Sequence, residues 1–329
     1  MKSPHTPRSG QPGNAKSAHR GPPRAGGPGR PQRPGRSAGD QKHTKDAPRD
    51  PRPPRSEGTR LELPRPPAKP EQPARAVPHA KPARPSADTP RGTVWLYGTH
   101  AVAAALANPN RRLRRLMLTP EAEAAIAARL PPPWATASER TDRARLDQLL
   151  GRDIVHQGAA LLADLLAPPA LGRVLERSGP VVVLDQVTDP RNVGAILRSA
   201  AAFGAAAVIT QDRNAPEETG ALAKAASGAL ETMPLLRAVN IARTLVALKA
   251  AGCWVVGLDS GRANLSGPAL AQRRVALVLG NEGDGLRRLT RDTCDEVAGI
   301  GMPGGGDGLD SLNVATAAAV ALYELGRVG

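Results

Sequence analysis

From residue 93 onward the apolar positions alternate between short unbroken runs and helical stripes, and before it large apolar side chains are scarce. The runs at 181–184, 206–210, 254–258, 275–279 and 297–300 read as strands of a parallel sheet covered on both faces. Between them, 193–203 carries apolar residues at 193, 196, 197 and 200, a helical stripe, and 241–251 and 312–325 are similar. Strand alternating with helix predicts an α/β domain with a mostly parallel sheet. Upstream, the pattern predicts a strand at 94–97, a helix at 100–106 stopped by Asn108-Pro-Asn110, and a strand through Leu113, Leu116 and Leu118. Helices at 121–130 and 142–150 and a strand at 153–156 complete a compact αβ unit, which ends before Pro168 and Pro169. A short Leu/Pro/Arg linker follows.

Charge separates these units from what precedes them. Residues 1–92 hold 20 Lys and Arg against 7 Asp and Glu, or +13 of the chain's +15, together with 21 of its 34 prolines. Such a segment cannot bury enough surface to offset the entropy of ordering, so a disordered tail is expected there. Its Arg and Lys would neutralise phosphates without reading sequence, or simply keep the chain soluble; composition leaves both open. The remaining residues, 93–329, are close to neutral. No apolar run is long enough for a membrane span, and the start has no secretory h-region. The dense prolines forbid the amphipathic helix of a mitochondrial presequence, and a cytoplasmic location is expected. Cys253 and Cys294 are isolated thiols that suggest packing, with neither a disulfide framework nor a metal site. Six aromatic residues in all argue against a stacking platform for bases, so any nucleic acid would be read by shape and phosphate.

Three segments of the C-terminal half place polar residues where a strand or loop meets a helix. The first, Asp189-Pro-Arg-Asn-Val-Gly194 continuing to Arg198, puts Asn192 as a helix N-cap and Arg198 two turns in, off the apolar stripe. Alone it reads as a cap and a solvated charge. The second, Leu279-Gly-Asn-Glu-Gly-Asp-Gly285, keeps side chains away from an approaching ligand. A pyrophosphate turn is disfavoured because Glu282 would repel it and no acidic ribose partner follows at the usual interval; a carboxylate there suits a cation. The third, Ser311-Leu-Asn-Val314, opens a helix with Ser311 or Asn313 near its start and small residues behind. Capping explains one polar residue of that phrase and not the whole.

In this order, with Ile300-Gly-Met302 before the third, the segments resemble the motifs of the SpoU (TrmH) family of RNA ribose 2′-O-methyltransferases. Tyr97-Gly-Thr-His-Ala-Val102 and Val155-His-Gln-Gly158 resemble the opening and closing phrases of that family's substrate-binding domain, itself similar to ribosomal proteins L30e and L7Ae. The resemblance implies a substrate-binding domain at 93–168 and, at 172–329, a SPOUT methyltransferase domain. In that fold a deep trefoil knot, which ordinary connection rules disfavour, forms the S-adenosyl-L-methionine pocket, and the enzyme acts as a homodimer. It assigns Asn192, Arg198, Glu282, Ser311 and Asn313 to the active site, and Leu279, Gly280, Ile300, Met302 and Leu312 to the cofactor. Gly301 stands where the family commonly has proline, and the loop at 303–310 is longer than in compact members.

The branch carrying both phrases methylates a guanosine ribose in 23S rRNA, so the implied partner is 23S rRNA or a pre-ribosomal particle, with no DNA and no membrane. A tRNA ribose methylase, or a non-catalytic RNA-binding assembly factor that keeps the fold, are the alternatives. The family is often described with the arginine at position 198 as base. A guanidinium keeps its proton in proteins, so the expected role is orientation: Arg198 on phosphate and hydroxyl, fixed by Asn192 and Glu282. No histidine lies in 172–329, and the hydroxyl proton would pass to the phosphate, Ser311 or water. His100 and His156 are expected to be structural or RNA-contacting.

Overall fold

The computed structural model of the chain describes residues 89–213, 215–260, 262–281, 283–304 and 311–327. The expected tail, apart from 89–92, therefore lies outside the described residues, as do Glu282 and 305–310. Among the described residues no helix is long and apolar enough to cross a membrane.

The N-terminal part runs β1 (Thr93–Tyr97), α1 (Thr99–Ala107), β2 (Leu113–Leu118), α2 (Pro120–Ala127), β3 (Ser138–Arg140), α3 (Arg143–Leu150) and β4 (Ala159–Asp164). Its sheet has the order β1-β4-β2-β3; β4 pairs antiparallel with both neighbours, Tyr97 opposite Ala160 and Leu118 opposite Ala159. Leu96, Leu116, Leu118 and Leu161 fill one face, and Met117 and Ala160 meet Leu146 of α3 on the other. The helix starts follow local chemistry: Thr119 and Asp142 each accept a hydrogen bond from the first turns of α2 and α3.

The expected strand at 153–156 is absent, and β4 begins at Ala159 instead. Gln157 (φ 56°) and Gly158 (φ 76°) are left-handed and cannot continue a strand. His156 closes this turn. Its Nδ1 accepts from the Gly158 N–H at 3.1 Å, which leaves Nε2 to donate to Asp147 Oδ1 at 3.0 Å.

The C-terminal part runs α4 (Leu171–Leu175), β5 (Val181–Leu184), α5 (Pro190–Ala202), β6 (Ala207–Gln211), α6 (Gly220–Ala226), β7 (Leu235–Ala238) and α7 (Ile241–Ala250). It continues through β8 (Cys253–Leu258), α8 (Gly267–Leu270), β9 (Arg274–Leu279), α9 (Arg288–Thr293), β10 (Glu296–Ala298) and α10 (Val314–Gly326). All its strands are parallel, in the order β10-β8-β9-β5-β6-β7. Alternate residues of each strand serve opposite faces. Val182, Leu184, Val208 and Leu277 pack under α5, α6 and α10, whereas Val181, Val183, Ile209 and Val278 pack against α7 and Val174 of α4. Burial on both faces is why these strands read as unbroken apolar runs. Elements α4, α6, β7, α8 and α9 and strand β3 were not anticipated: they are short, Ala/Gly-rich or polar, and carry no periodic signal.

The chain starts the sheet at β5, builds outward to β7, then returns to the other side of β5. The strand order thus reverses between β5 and β9, and their carboxyl ends, Leu184 opposite Leu279, open on a crevice of the kind that holds ligands in such sheets. Helix α5 springs from this crevice and lies tight on α6. A Cβ on Gly194 would stand 2.4 Å from the Leu222 carbonyl oxygen and 2.7 Å from Ala225 Cβ. Gly194→Ala should therefore lower stability by about 1–3 kcal/mol, measured as the urea midpoint; an unshifted midpoint would mean that the two helices part without strain.

Candidate active site at the sheet switch point

The crevice is organised by a buried carboxylate. Asp185 follows β5 directly and is fully buried, and its backbone N–H donates to the Leu279 carbonyl at 2.8 Å. Arg287 neutralises it: Nε donates to Oδ1 at 2.7 Å, Nη2 lies 2.5 Å from the same oxygen, and the Arg287 N–H reaches Oδ2 at 3.3 Å. The segment after Gly280 is thereby tied back to β5. Within it, Asn281 and Gly285 exchange two backbone hydrogen bonds at 3.1 and 3.0 Å and make a tight loop. A Cβ on Gly280 would lie 2.2 Å from the Gly285 carbonyl carbon, so glycine is required for the loop to fold onto itself.

A second arch comes from β8 and β10. The Asp259 N–H donates to the Ala298 carbonyl at 2.9 Å, and its carboxylate pairs with Arg291 of α9. Gly299 exchanges backbone hydrogen bonds with Ala263 (2.7 Å) and Leu265 (2.8 Å), bringing Ile300 to the rim. A Cβ on Gly301 would come within 2.9 Å of Asn264 Nδ2, so the glycine at this position leaves room for the Asn264 amide.

The third segment reaches the first. Asn313 is the N-cap of α10, accepting from Ala315 (3.0 Å) and Thr316 (3.4 Å), and its Nδ2 donates to Asn192 Oδ1 at 3.2 Å. Asn192 is not the cap of α5, as the sequence suggested. That role falls to Asp189, whose carboxylate accepts from the Arg191 N–H at 2.8 Å with Pro190 at the first helical position. The displaced Asn192 sits in the first turn, where its amide is available to Asn313.

Most of the candidates thus gather at one end of the sheet. Gly280, Ile300, Met302 and Leu312 are half-buried, Ser311 and Asn313 exposed. Leu279 differs: its side chain is in the core and its carbonyl is taken by Asp185. Arg198 is exposed on α5, and among the described residues neither it nor Ser311 is hydrogen-bonded to another candidate. Glu282 lies outside the described residues. Asp185, Asp259, Asn264, Arg287 and Arg291 were missed. The signal for Asp185 was present, an acidic residue directly after a four-residue apolar run; the two arginines look like ordinary helix charges until their partners are seen.

The residues present fit a nucleoside that bears a positive charge. Ile300, Met302 and Leu312 offer partly exposed apolar surface for a flat ring, and Arg287 and Arg291 are neutralised by a fully and a partly buried carboxylate and do not present a bare repelling charge. The cysteines take no part. Burial, with the charges of Asp295 and Asp185, pushes the Cys294 thiol up to about 11, and burial raises Cys253 as well. Both stay protonated and pack in the core.

Residues 179–323 match the SpoU rRNA Methylase family, and residues 95–169 match the family model for RNA 2'-O ribose methyltransferase substrate binding. The 23S rRNA (guanosine-2'-O-)-methyltransferase RlmB of Ralstonia nicotianae is 41% identical over 254 residues, covering 70% of this chain and 94% of that protein. An uncharacterised tRNA/rRNA methyltransferase of Synechocystis is 35% identical over 77% of this chain and 67% of its own length. The crystal structure of the SpoU methyltransferase AviRb from Streptomyces viridochromogenes, in complex with AdoMet, superposes with a TM-score of 0.59 at 25% identity, covering 72% of this chain and 90% of that one.

Arg287→Ala would leave Asp185 buried without its counter-charge. Because Arg287 is itself half-exposed, the expected loss is about 3 kcal/mol, the low end for a broken buried pair. Arg287→Ala with Asp185→Asn should recover much of it, as read by denaturant titration of both variants; equal loss in the double variant would deny the pair its role.

Proposed function

Since the chain belongs to the SpoU rRNA methylase family, we infer that it transfers a methyl group from S-adenosyl-L-methionine to the ribose 2′-hydroxyl of a guanosine in 23S rRNA. The observation that carries this reading is the joining of the first and third segments by the Asn313–Asn192 hydrogen bond beside the loop at 280–285. The name of the 41% identical relative, which covers both parts of the chain, supplies the substrate.

When bound, S-adenosylmethionine supplies an electrophilic methyl on a positively charged sulfur. This chain's residues would do the rest. Gly280, Ile300, Met302 and Leu312 line the cofactor slot, with Leu279 contributing backbone rather than side chain. Arg198, exposed on the helix that leaves the crevice, binds the target phosphate and orients the hydroxyl. Asn192 and Asn313 fix the start of α5 against α10, and Glu282 and Ser311 complete the group. The hydroxyl proton leaves to a phosphate oxygen, to Ser311 or to water, since residues 172–329 hold no histidine. Positioning of two reactants supplies much of the rate in such a step. The knotted path of the family belongs to this reading; the crowding of 259–265, 280–286 and 299–301 around the strand ends supports it. So does the division of labour between an RNA-binding part at 93–168 and a transfer part at 172–329.

Arg198→Ala should lower methyl transfer about 100-fold or more while leaving cofactor affinity, measured by calorimetry, unchanged. Mapping ribose methylation across rRNA and tRNA in cells with and without the gene tests the substrate. Loss of one 23S rRNA methyl, restored by the wild type and not by Arg198→Ala, is expected. Loss from tRNA instead would give the substrate to the alternative, and no loss at all would leave a binding factor.

An exposed apolar face among the described residues supports the homodimer implied by the family. Phe203 at the end of α5 and Tyr323 of α10 meet edge to face, ring centroids 6.2 Å apart, beside exposed Val320 one turn away. Val320→Asp with Tyr323→Asp should convert the dimer to a monomer in sedimentation velocity, and an undisturbed dimer would place the interface elsewhere.

A further inference from the structure

A second set of buried charges lies away from the crevice, where the N-terminal part of the chain meets the C-terminal part. Arg111, in the loop between α1 and β2, has a fully buried side chain and uses all three nitrogens of its guanidinium. Nη1 donates to Glu218 Oε1 (2.5 Å) and to the Asp164 carbonyl (2.8 Å), Nη2 to Glu231 Oε1 (2.6 Å), and Nε to Glu231 Oε2 (3.0 Å). The carboxylates take further donors from the N-terminal side, Glu231 from Asn108 Nδ2 (2.8 Å) and Glu218 from the Leu166 N–H (3.2 Å). Burial opposes the charge on Arg111, but the Glu231 hydrogen bond and both carboxylates outweigh it and hold the guanidinium above its ordinary pKa. A network this complete fixes geometry as well as charge.

Close packing around it leaves no slack. A Cβ on Gly220, the first residue of α6, would fall 2.3 Å from Tyr97 Cε1 and 2.4 Å from the Trp95 carbonyl oxygen of β1. One on Gly228 would fall 2.9 Å from Ala104 Cβ of α1. Lys224 of α6 donates to the Val155 carbonyl in the turn before β4. Buried residues of β1 and α1 belong to the same apolar cluster as those of α5 and α6. The contacts therefore run without a break from β1, through α6, to the Gly194 face of α5, the helix that bears Asn192 and Arg198.

We propose that Arg111 is a positioning residue for methyl transfer: locked to Glu218 and Glu231, it holds the RNA-binding part of the chain at one fixed place against the α5–α6 pair, so that RNA gripped there meets Arg198 in register. This rests on the reaction inferred above. Arg111 itself touches neither RNA nor cofactor. Its effect is on the rate once RNA is bound, because a misplacement of about 1 Å can cost on the order of 100-fold in rate.

The test uses the full chain with Arg111→Ala and Arg111→Lys. Spin labels at Gln148→Cys and Arg243→Cys, exposed sites on the two parts, report their separation by pulsed electron resonance. Arg111→Ala should broaden a single narrow distance into a wide distribution and slow single-turnover methylation at saturating RNA by ten- to a hundredfold. RNA affinity and S-adenosylhomocysteine stoichiometry should stay within twofold, which a merely unfolded fraction would not allow. Arg111→Lys, with one charge and fewer donors, should recover part of both readouts. A distance that stays narrow, or a rate within twofold of wild type, overturns the proposal. Should Arg111→Ala not fold, Glu231→Gln, which keeps shape and removes the charge, is read by the same criteria. If wild type methylates no RNA, the inferred reaction fails, while the distance distribution still decides whether Arg111 locks the two parts together.

Discussion

A carboxylate at the end of an apolar strand, with no access to water, has to be met by a counter-charge and by hydrogen bonds. Asp185 is that carboxylate, and the need to satisfy it shapes the crevice. Arg287 can reach it only if the chain after β9 turns back over the end of β5. The tight loop at 281–285 makes that turn, and Gly280 makes the loop sterically possible. The same logic repeats one strand pair away, where Asp259 after β8 meets Arg291. Two loops that bend inward to neutralise acids, one fully and one partly buried, thus flank the crevice.

This arrangement also sets the electrostatic character of the slot. Two arginines beside a binding site would ordinarily favour an anion, and a positively charged sulfur would be repelled by them. Here both guanidiniums are spent on partly or fully buried carboxylates within hydrogen-bond distance, so the slot presents peptide groups and the side chains of Ile300, Met302 and Leu312 instead. Arg198, the cation proposed above to act on RNA, stands on the exposed side of α5. In the proposed reaction, phosphate and cofactor would thus be held by different elements, which the Asn192–Asn313 contact joins.

The sequence made the parallel strands and the long helices legible because burial on both faces leaves unbroken Val, Ile and Leu runs, and α5 shows its stripe at 193, 196, 197 and 200, all of which are buried. The three polar phrases were legible as a site only through their joint resemblance to a family. What stayed hidden was whatever depends on a partner distant in sequence. Arg287 and Asp185 are 102 residues apart, and Arg111 and Glu231 are 120 apart; neither pair has a local signature. Local competition misled in two places. Asp189 and Asn192 are both good caps, and Pro190 decides for Asp189 by occupying the first helical position. The apolar pair Ile154 and Val155 looked like a strand, yet the His156 ring and the left-handed Gln157 and Gly158 turn the chain first.

Burial decides which of the chain's many ion pairs matter. Arg114 with Asp164 and Arg115 with Glu139 have good geometry, at 2.7 Å each, but are open to water, where such pairs contribute about 0–1 kcal/mol. They lie on the N-terminal sheet and constrain only it. Arg111 is chemically the same residue in the same stretch of chain, yet its guanidinium is wholly enclosed and its acids come from the segments that flank α6 in the C-terminal part. Removing water makes its geometry costly to disturb, and drawing its partners from across the boundary makes that cost a constraint on how the two sheets face each other. A run of four arginines between 111 and 115 thus contains one that ties the molecule together and three that face solvent on its surface.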